Sequence, residues 1–193
     1  MTVFTDPACY PAISLHQPYA GAIRLSGLGY PAKRIETRKT RIHYRGPLVI
    51  CATKESFKGW IAKRMEISAL LTGENEWPAH LAALTLTACA VAIVQIVGCR
   101  PLVEADYPRS LWWDAAEVKR QPRWAWELED ITPLDPFPVK GAQTFFKLDR
   151  ARVDAAVGVA GSGWARAMRM PCPKLENTST ITTLPGSSGV TWF

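Results

Sequence analysis

The chain lacks the features that staple or metallate small domains. Its five cysteines, Cys9, Cys51, Cys89, Cys99 and Cys172, are an odd number with no C-x-x-C pair, so neither a disulfide framework nor a thiolate zinc site is indicated and a reducing compartment fits. Its three histidines, His16, His43 and His80, never fall at i, i+4 spacing, no acid-rich loop has a calcium-site pattern, and no metal is expected. The glycine-rich phosphate loops G-x-G-x-x-G and G-x-x-x-x-G-K-[ST] are missing, so no cofactor is expected. No repeat appears at periods of about 20–50 residues, which excludes solenoids and propellers. Met1 to Pro11 carries no Lys or Arg and no apolar h-region, so no secretory signal is read and a cytoplasmic location is expected. Leu81 to Val97 is a run of 17 uncharged residues. A spanning helix needs about 17–25, but Thr85, Thr87 and Gln95 interrupt this run and its β-branched second half reads as a buried strand. No membrane partner is expected.

What is present is an ordinary globular composition with an uneven charge. Of 193 residues, 48% are hydrophobic and 21% charged, which predicts one domain with a self-sufficient core. The net charge of +6 is concentrated. Lys33 to Arg45, KRIETRKTRIHYR, has six bases against Glu36, whereas Pro101 to Asp135 has eight acids against four bases. A basic segment of this kind suits phosphate binding through counterion release, and equally suits a solvated charged strand.

Periodicity predicts short strands at Ala12–Leu15, Arg34–Tyr44, Leu48–Thr53, Ala88–Val97, Arg123–Ile131 and Thr144–Leu148. It predicts helices from Pro18 to Leu25, closed by Gly27 and Gly29, and from Ser56 to about Leu71, closed by Thr72 to Asn75. Ala88 to Val97 is apolar on both faces, one of them opening with Ala88, Ala90 and Ala92, where a helix can approach closely. The sum is an α+β fold around a small, mostly antiparallel β-barrel with flanking helices. After Arg150 the pattern fades: Ala151–Val159 suits a short helix, and the extension 150–193 is expected to be partly disordered, above all Glu176 to Val190.

Ile13-Ser14-Leu15-His16-Gln17-Pro18-Tyr19-Ala20, then Gly29, Lys33-Arg34-Ile35-Glu36-Thr37-Arg38, then Tyr44-Arg45-Gly46-Pro47-Leu48, resembles the ASCH domain of the PUA-like superfamily, in its bacterial or phage type. Ala88 to Cys99, Trp126-Glu127-Leu128-Glu129, Pro138-Val139-Lys140-Gly141 and Phe145-Phe146 follow in the family's order, so the resemblance spans residues 12–149. Gly29, Lys33, Glu36 and Arg38 match its signature, with Tyr30-Pro31-Ala32 in place of a single position. The resemblance implies a cleft beside the signature strand. Its members include nucleic-acid binders, an amidohydrolase of N4-acetylcytidine and a ribonuclease. The threonine that the amidohydrolase branch uses is Glu36 here, so that triad is not carried over.

In a regular strand Arg34, Glu36 and Arg38 share one face while Ile35 and Thr37 point to the core, and Lys33 joins Glu36 only if the chain bends at Pro31-Ala32. The function expected is binding of RNA, or of a modified nucleotide in a single strand, through a basic cleft. Lys33, Glu36, Arg38, Arg41 and Arg45 are its charged residues, with His16 and Tyr19 beside them. Trp112, Trp113, Tyr44 and His43 are further stacking candidates, whereas Trp124 and Trp126 read as core. An ion pair of Glu36 with Arg38 that fixes the wall without touching ligand is an equal reading of those two. The alternative function is a small hydrolase of an N-acylated nucleoside or of RNA using Lys33 and Glu36 as catalytic residues. A third is a protein-interaction module. Glu127 and Glu129 share a face as a solvated acidic edge, and Cys51 reads as an inert buried thiol.

Overall fold

The computed structural model describes residues 6–30, 32–54, 83–111, 121–142 and 144–157. The strands are β1 (Cys9–Leu15), β2 (Ile35–Arg38), β3 (Gly46–Ala52), β4 (Cys89–Pro101), β5 (Trp124–Pro138) and β6 (Phe146–Asp149). Among the described residues the helices with both ends placed are α1 (Tyr19–Gly27), α2 (Tyr107–Ser110), preceded by a 3₁₀ turn at Glu104–Asp106, and α3 (Arg150–Val157). All six strands belong to one sheet in the order β2-β5-β4-β3-β1-β6. Among the described residues only the β1–β3 pair is parallel. The α+β class is therefore as expected, but the sheet is not closed into a barrel: β2 and β6 stand at opposite edges with no ladder between them. It curls instead. The Trp126 ring on β5 stacks on Phe145, the residue before β6, with centroids 5.8 Å apart.

Two cores fill the two faces. On one, Ile13, Leu15, Leu48, Ile50, Val94, Ile96, Trp126 and Leu128 pack with Ala20 and Ile23 of α1. On the other, Ala12, Val49, Cys51, Ala90 and Leu134 pack with Val153 and Ala156 of α3. The strict alternation expected along β4 does not hold. Val91 and Ala92 both join the first core, because the ladder with β5 shifts register between Ala90 and Ala92. Similar shifts let β5 run seven residues past its expected end at Ile131, through Pro133 and Pro136 to Pro138. Proline ends a regular strand by removing a donor, and irregular pairing relaxes that demand. Asp130, with φ of 44°, sits where the ladder steps from Glu129↔Gln95 to Thr132↔Ile93.

α1 is held close to the sheet. The buried Arg24 donates to the carbonyls of Val91 (3.0 Å) and Leu134. Burial pulls its guanidinium below the ordinary range, with Asp135 opposing. Gly27 allows the approach, since a Cβ there would lie 2.5 Å from the Ile131 carbonyl oxygen. Before the helix, the buried Gln17 amide donates to Leu86 O (2.6 Å) and Ala83 O (3.3 Å) and accepts from the Gly21 N–H (3.0 Å).

The strand expected from Arg34 to Tyr44 is confined to Ile35–Arg38, and residues 39–45 form an irregular loop. Side chains take the backbone groups that a ladder would use: the Trp126 indole donates to Thr40 O (3.3 Å) and Cys99 Sγ accepts from the Ile42 N–H (3.4 Å). The helix expected from Ser56, the closing turn at Thr72 to Asn75, Trp112, Trp113, Cys172 and the segment Glu176 to Val190 lie outside the described residues. Among those described, no helix is long and apolar enough to cross a membrane.

Candidate nucleic-acid interface

The site is built around one buried cation. Lys33 lies between α1 and β2, its backbone N–H donating to Ser26 Oγ (2.7 Å) and its carbonyl accepting from the same hydroxyl (3.1 Å). Its Nζ donates to the carbonyls of Ile35 and Ser110, both at 2.7 Å, and stands 3.2 Å from Glu36 Oε2. Lys33 thus joins Glu36. Lys33 is only 2% exposed, and its ammonium lies 5.5 Å from the Tyr19 ring centroid. Burial pulls the ammonium below the usual lysine range, while the Glu36 charge holds it up.

Glu36 carries this charge to the surface. Its other oxygen, Oε1, is 3.0 Å from Arg38 Nε, and the Arg38 guanidinium lies 5.8 Å from the Trp126 ring centroid. The order Lys33, Glu36, Arg38 therefore alternates in sign from core to cavity. Arg34 does not take part as expected: it precedes β2, is exposed, and uses its backbone to bond Arg109 O and the Leu128 N–H (2.9 and 3.0 Å). Thr37, expected to face the core, is half-buried and lines the cavity, whereas Ile35 is fully buried against Leu102 and Ala125.

The cavity has a volume of about 690 Å³. Its apolar lining is Ile13, Leu15, Ile42, Trp126 and Phe145, drawn from both halves of the curled sheet. Of the residues expected at a site, Lys33, Glu36, Arg38, Arg41, His16 and Tyr19 all border it. Arg41 lies over the Trp124 ring, 5.2 Å to the centroid, and His16 Nδ1 is 3.1 Å from Thr53 Oγ1. Arg45 does not border it; its guanidinium is turned back to the carbonyls of Tyr44 (2.8 Å) and Ile42 (3.4 Å). His43 and Tyr44 also lie off the cavity, the Tyr44 hydroxyl donating to Pro47 O (2.7 Å). Ser14, Arg123, Trp126 and Phe145 also border it, beyond the site residues that the sequence suggests. For Ser14 a signal existed: it is the one hydroxyl inside the apolar run Ala12 to Leu15.

The charged cluster around Arg100 is structural. Arg100 grips Asp106 with both terminal nitrogens (2.6 and 2.7 Å) and Glu127 with Nε (2.9 Å), so Glu127 is an ion-pair partner rather than half of an acidic edge. Glu127 folds over Gly98, where a Cβ would collide with its carboxylate. Burial pushes the Cys51 thiol up to about 12, consistent with an inert side chain. Among the described residues no group of three or more His, Cys, Asp or Glu is placed to hold a metal.

Fold and site together define an α+β protein with a curled mixed sheet and a cation-rimmed apolar cavity. No protein-family model matches the chain, and no curated protein matches it. Among solved structures it is similar to the crystal structure of ASCH from Zymomonas mobilis, with 13% identity and a TM-score of 0.45, over 75% of this chain and 91% of that one. Two single-substitution variants of that protein are similar at 13% and 14% identity, with TM-scores of 0.45 and 0.44.

Proposed function

We propose that this is an ASCH-type, PUA-like domain that binds single-stranded RNA, or a modified nucleotide within it, in the cavity bordered by Lys33, Glu36 and Arg38. The observation that carries the reading is the fixed Arg38. Its Nε is ion-paired with Glu36 Oε1 at 3.0 Å and its guanidinium carbon lies 5.8 Å from the Trp126 ring centroid, so its terminal nitrogens can meet a phosphate or a base edge beside an apolar chamber. A volume near 690 Å³ lies inside the usual small-ligand range of about 300–1,000 Å³. Phe145 and Tyr19 offer ring surface for stacking.

The hydrolytic alternative requires Lys33 as a base. With two carbonyls and a carboxylate around Nζ, each N–H of the ammonium has an acceptor, and a neutral amine would turn its lone pair on the Glu36 oxygen. Lys33 is therefore read as a positioning residue, holding Glu36, which in turn holds Arg38. The test is a titration of labelled single-stranded RNA at several salt concentrations. Replacing Arg38 and Arg41 by alanine should weaken binding and lower the salt slope by about 0.7 per lost phosphate contact, while Arg45→Ala changes the slope less. No binding by the native chain at low salt would remove RNA as the ligand. Turnover of an acylated cytidine that vanishes in Lys33→Ala would favour the hydrolase.

A further inference from the structure

The sequence segment Val139-Lys140-Gly141 finds no use in the cavity just described, yet it borders a second one. This cavity, of about 620 Å³, adjoins the first and shares Ser14, His16 and Arg38 with it. It lies where the chain leaves β3 and β5, at one end of the sheet. There the Ala88 N–H donates to Thr53 O (3.1 Å) and the Val139 N–H to Ala88 O (2.9 Å), so Lys54 and Lys140 stand at the same end, separated by the Ala88 segment. Both lysines are exposed, and neither makes an ion pair with a described residue. With Arg38 they give this lining three cations and, among the described residues, no carboxylate. The first cavity differs in its ring surfaces, Tyr19, Trp126 and Phe145, and in having Glu36 in its wall.

The boundary between the cavities is itself unusual. Ser14 Oγ is buried there with no hydrogen-bond partner. Gly141 lies against it so tightly that a Cβ would overlap the hydroxyl. A larger residue at 141 would force the loop outward or the serine aside, changing the wall the two cavities share.

We infer that the second cavity seats the backbone phosphate of a nucleotide adjoining the one held in the first, so the ligand is a phosphodiester strand rather than a free nucleoside. This rests on the nucleic-acid reading above and adds a direction: the strand passes Arg38 and His16 and leaves along Lys54 and Lys140. Ring surfaces suit a base, and a lining with three cations and no carboxylate of its own suits a phosphate.

The test uses the full chain and a fluorescein-labelled octaribonucleotide of randomised sequence, titrated at several salt concentrations. Lys54→Ala/Lys140→Ala is expected to lower the salt slope by about 1.4 and the affinity at low salt by about tenfold, two contacts' worth for a single strand. Lys147→Ala, an exposed cation paired with Asp6 and outside both linings, should change neither. Gly141→Ala should weaken binding and Ser14→Ala/Gly141→Ala should recover it, since removing the hydroxyl makes room for the methyl. A mixture of the four free ribonucleosides should fail to displace the octamer at equal nucleoside concentration. An unchanged slope in the double lysine variant, or displacement by free nucleosides, would overturn the second cavity's role while leaving the first cavity's intact. Equal displacement by a phosphoserine peptide would overturn it in favour of a phosphoprotein partner. Failure of the native chain to bind the octamer at low salt would overturn both readings.

Discussion

Glu36 is the hinge of the site's electrostatics because it touches a buried cation on one side and a half-exposed one on the other. Glu36→Gln keeps the shape and removes the charge, leaving Lys33 as an uncompensated buried ammonium. Breaking a buried pair this way costs about 3–5 kcal/mol, so urea unfolding should show a loss of that size. Adding Lys33→Met to Glu36→Gln should return part of it, since the orphaned charge goes too; additive losses would show that the two side chains are uncoupled. A second residue sets an acid limit. Hydrogen bonds from Arg100 hold the Asp106 carboxyl below its ordinary range. A carboxylate lowered in the folded state stabilises above its unfolded value, and that contribution disappears as pH falls through the folded one. The native chain should therefore lose stability below about pH 4, and Arg100→Gln should flatten that limb of a melting-temperature profile.

At the scale of elements, β5 connects fold to site. Its first residues pair with β2, its middle meets α1 and its last residues lead to Lys140, so one strand serves both cavities. Trp126 is the residue where these roles meet: buried, stacked on Phe145, near Arg38 and bonded to Thr40 O. Trp126→Ala should cost about 3–5 kcal/mol by denaturant unfolding, and it should weaken RNA binding even where the protein remains folded. The same residue shows what sequence reading could and could not see. Alternation placed Trp126 in the core, correctly, but one strand's pattern contains no information about the opposite sheet edge, from which Phe145 arrives. Alternation likewise places Ile35 in the core and Glu36 on the other face, and Lys33 meets Glu36. Arg34 departs from the pleat rule because it precedes β2, which is only four residues long; Thr37 lies inside β2, paired with Ala125, and the pleat rule does not account for its place at the cavity. Residues 39–44 alternate like a strand, but their ladder partners are replaced by a thiol and an indole 57 and 86 residues away in sequence, which no local pattern encodes.

For the whole molecule, α3 decides how much chain the domain needs. The boundary expected after residue 149 would remove the helix whose Val153 and Ala156 cover the second core. It would also remove Asp154, which accepts from the Tyr10 hydroxyl (2.9 Å), and Arg150, 4.0 Å from the Tyr10 ring centroid. We propose a boundary after Val157 instead. A chain ended at Asp149 should lose about 2–5 kcal/mol, the cost of uncovering buried aliphatic side chains, whereas one ended at Val157 should melt close to the full chain. Equal melting of all three would return the boundary to 149.

The stacking of Trp126 on Phe145 gives the cavity a seam. Where a barrel would be closed by successive backbone bonds in fixed register, this sheet is brought together by side-chain contact across its two halves. Rings can slide over one another by fractions of an ångström at little cost, whereas a ladder must break a bond to move. The chamber's width is thus set by its most compliant joint, so it can widen by displacement of Phe145 while the Lys33–Glu36–Arg38 relay keeps its place; if the proposed ligand is a base, this joint is where a small extra substituent would be accommodated.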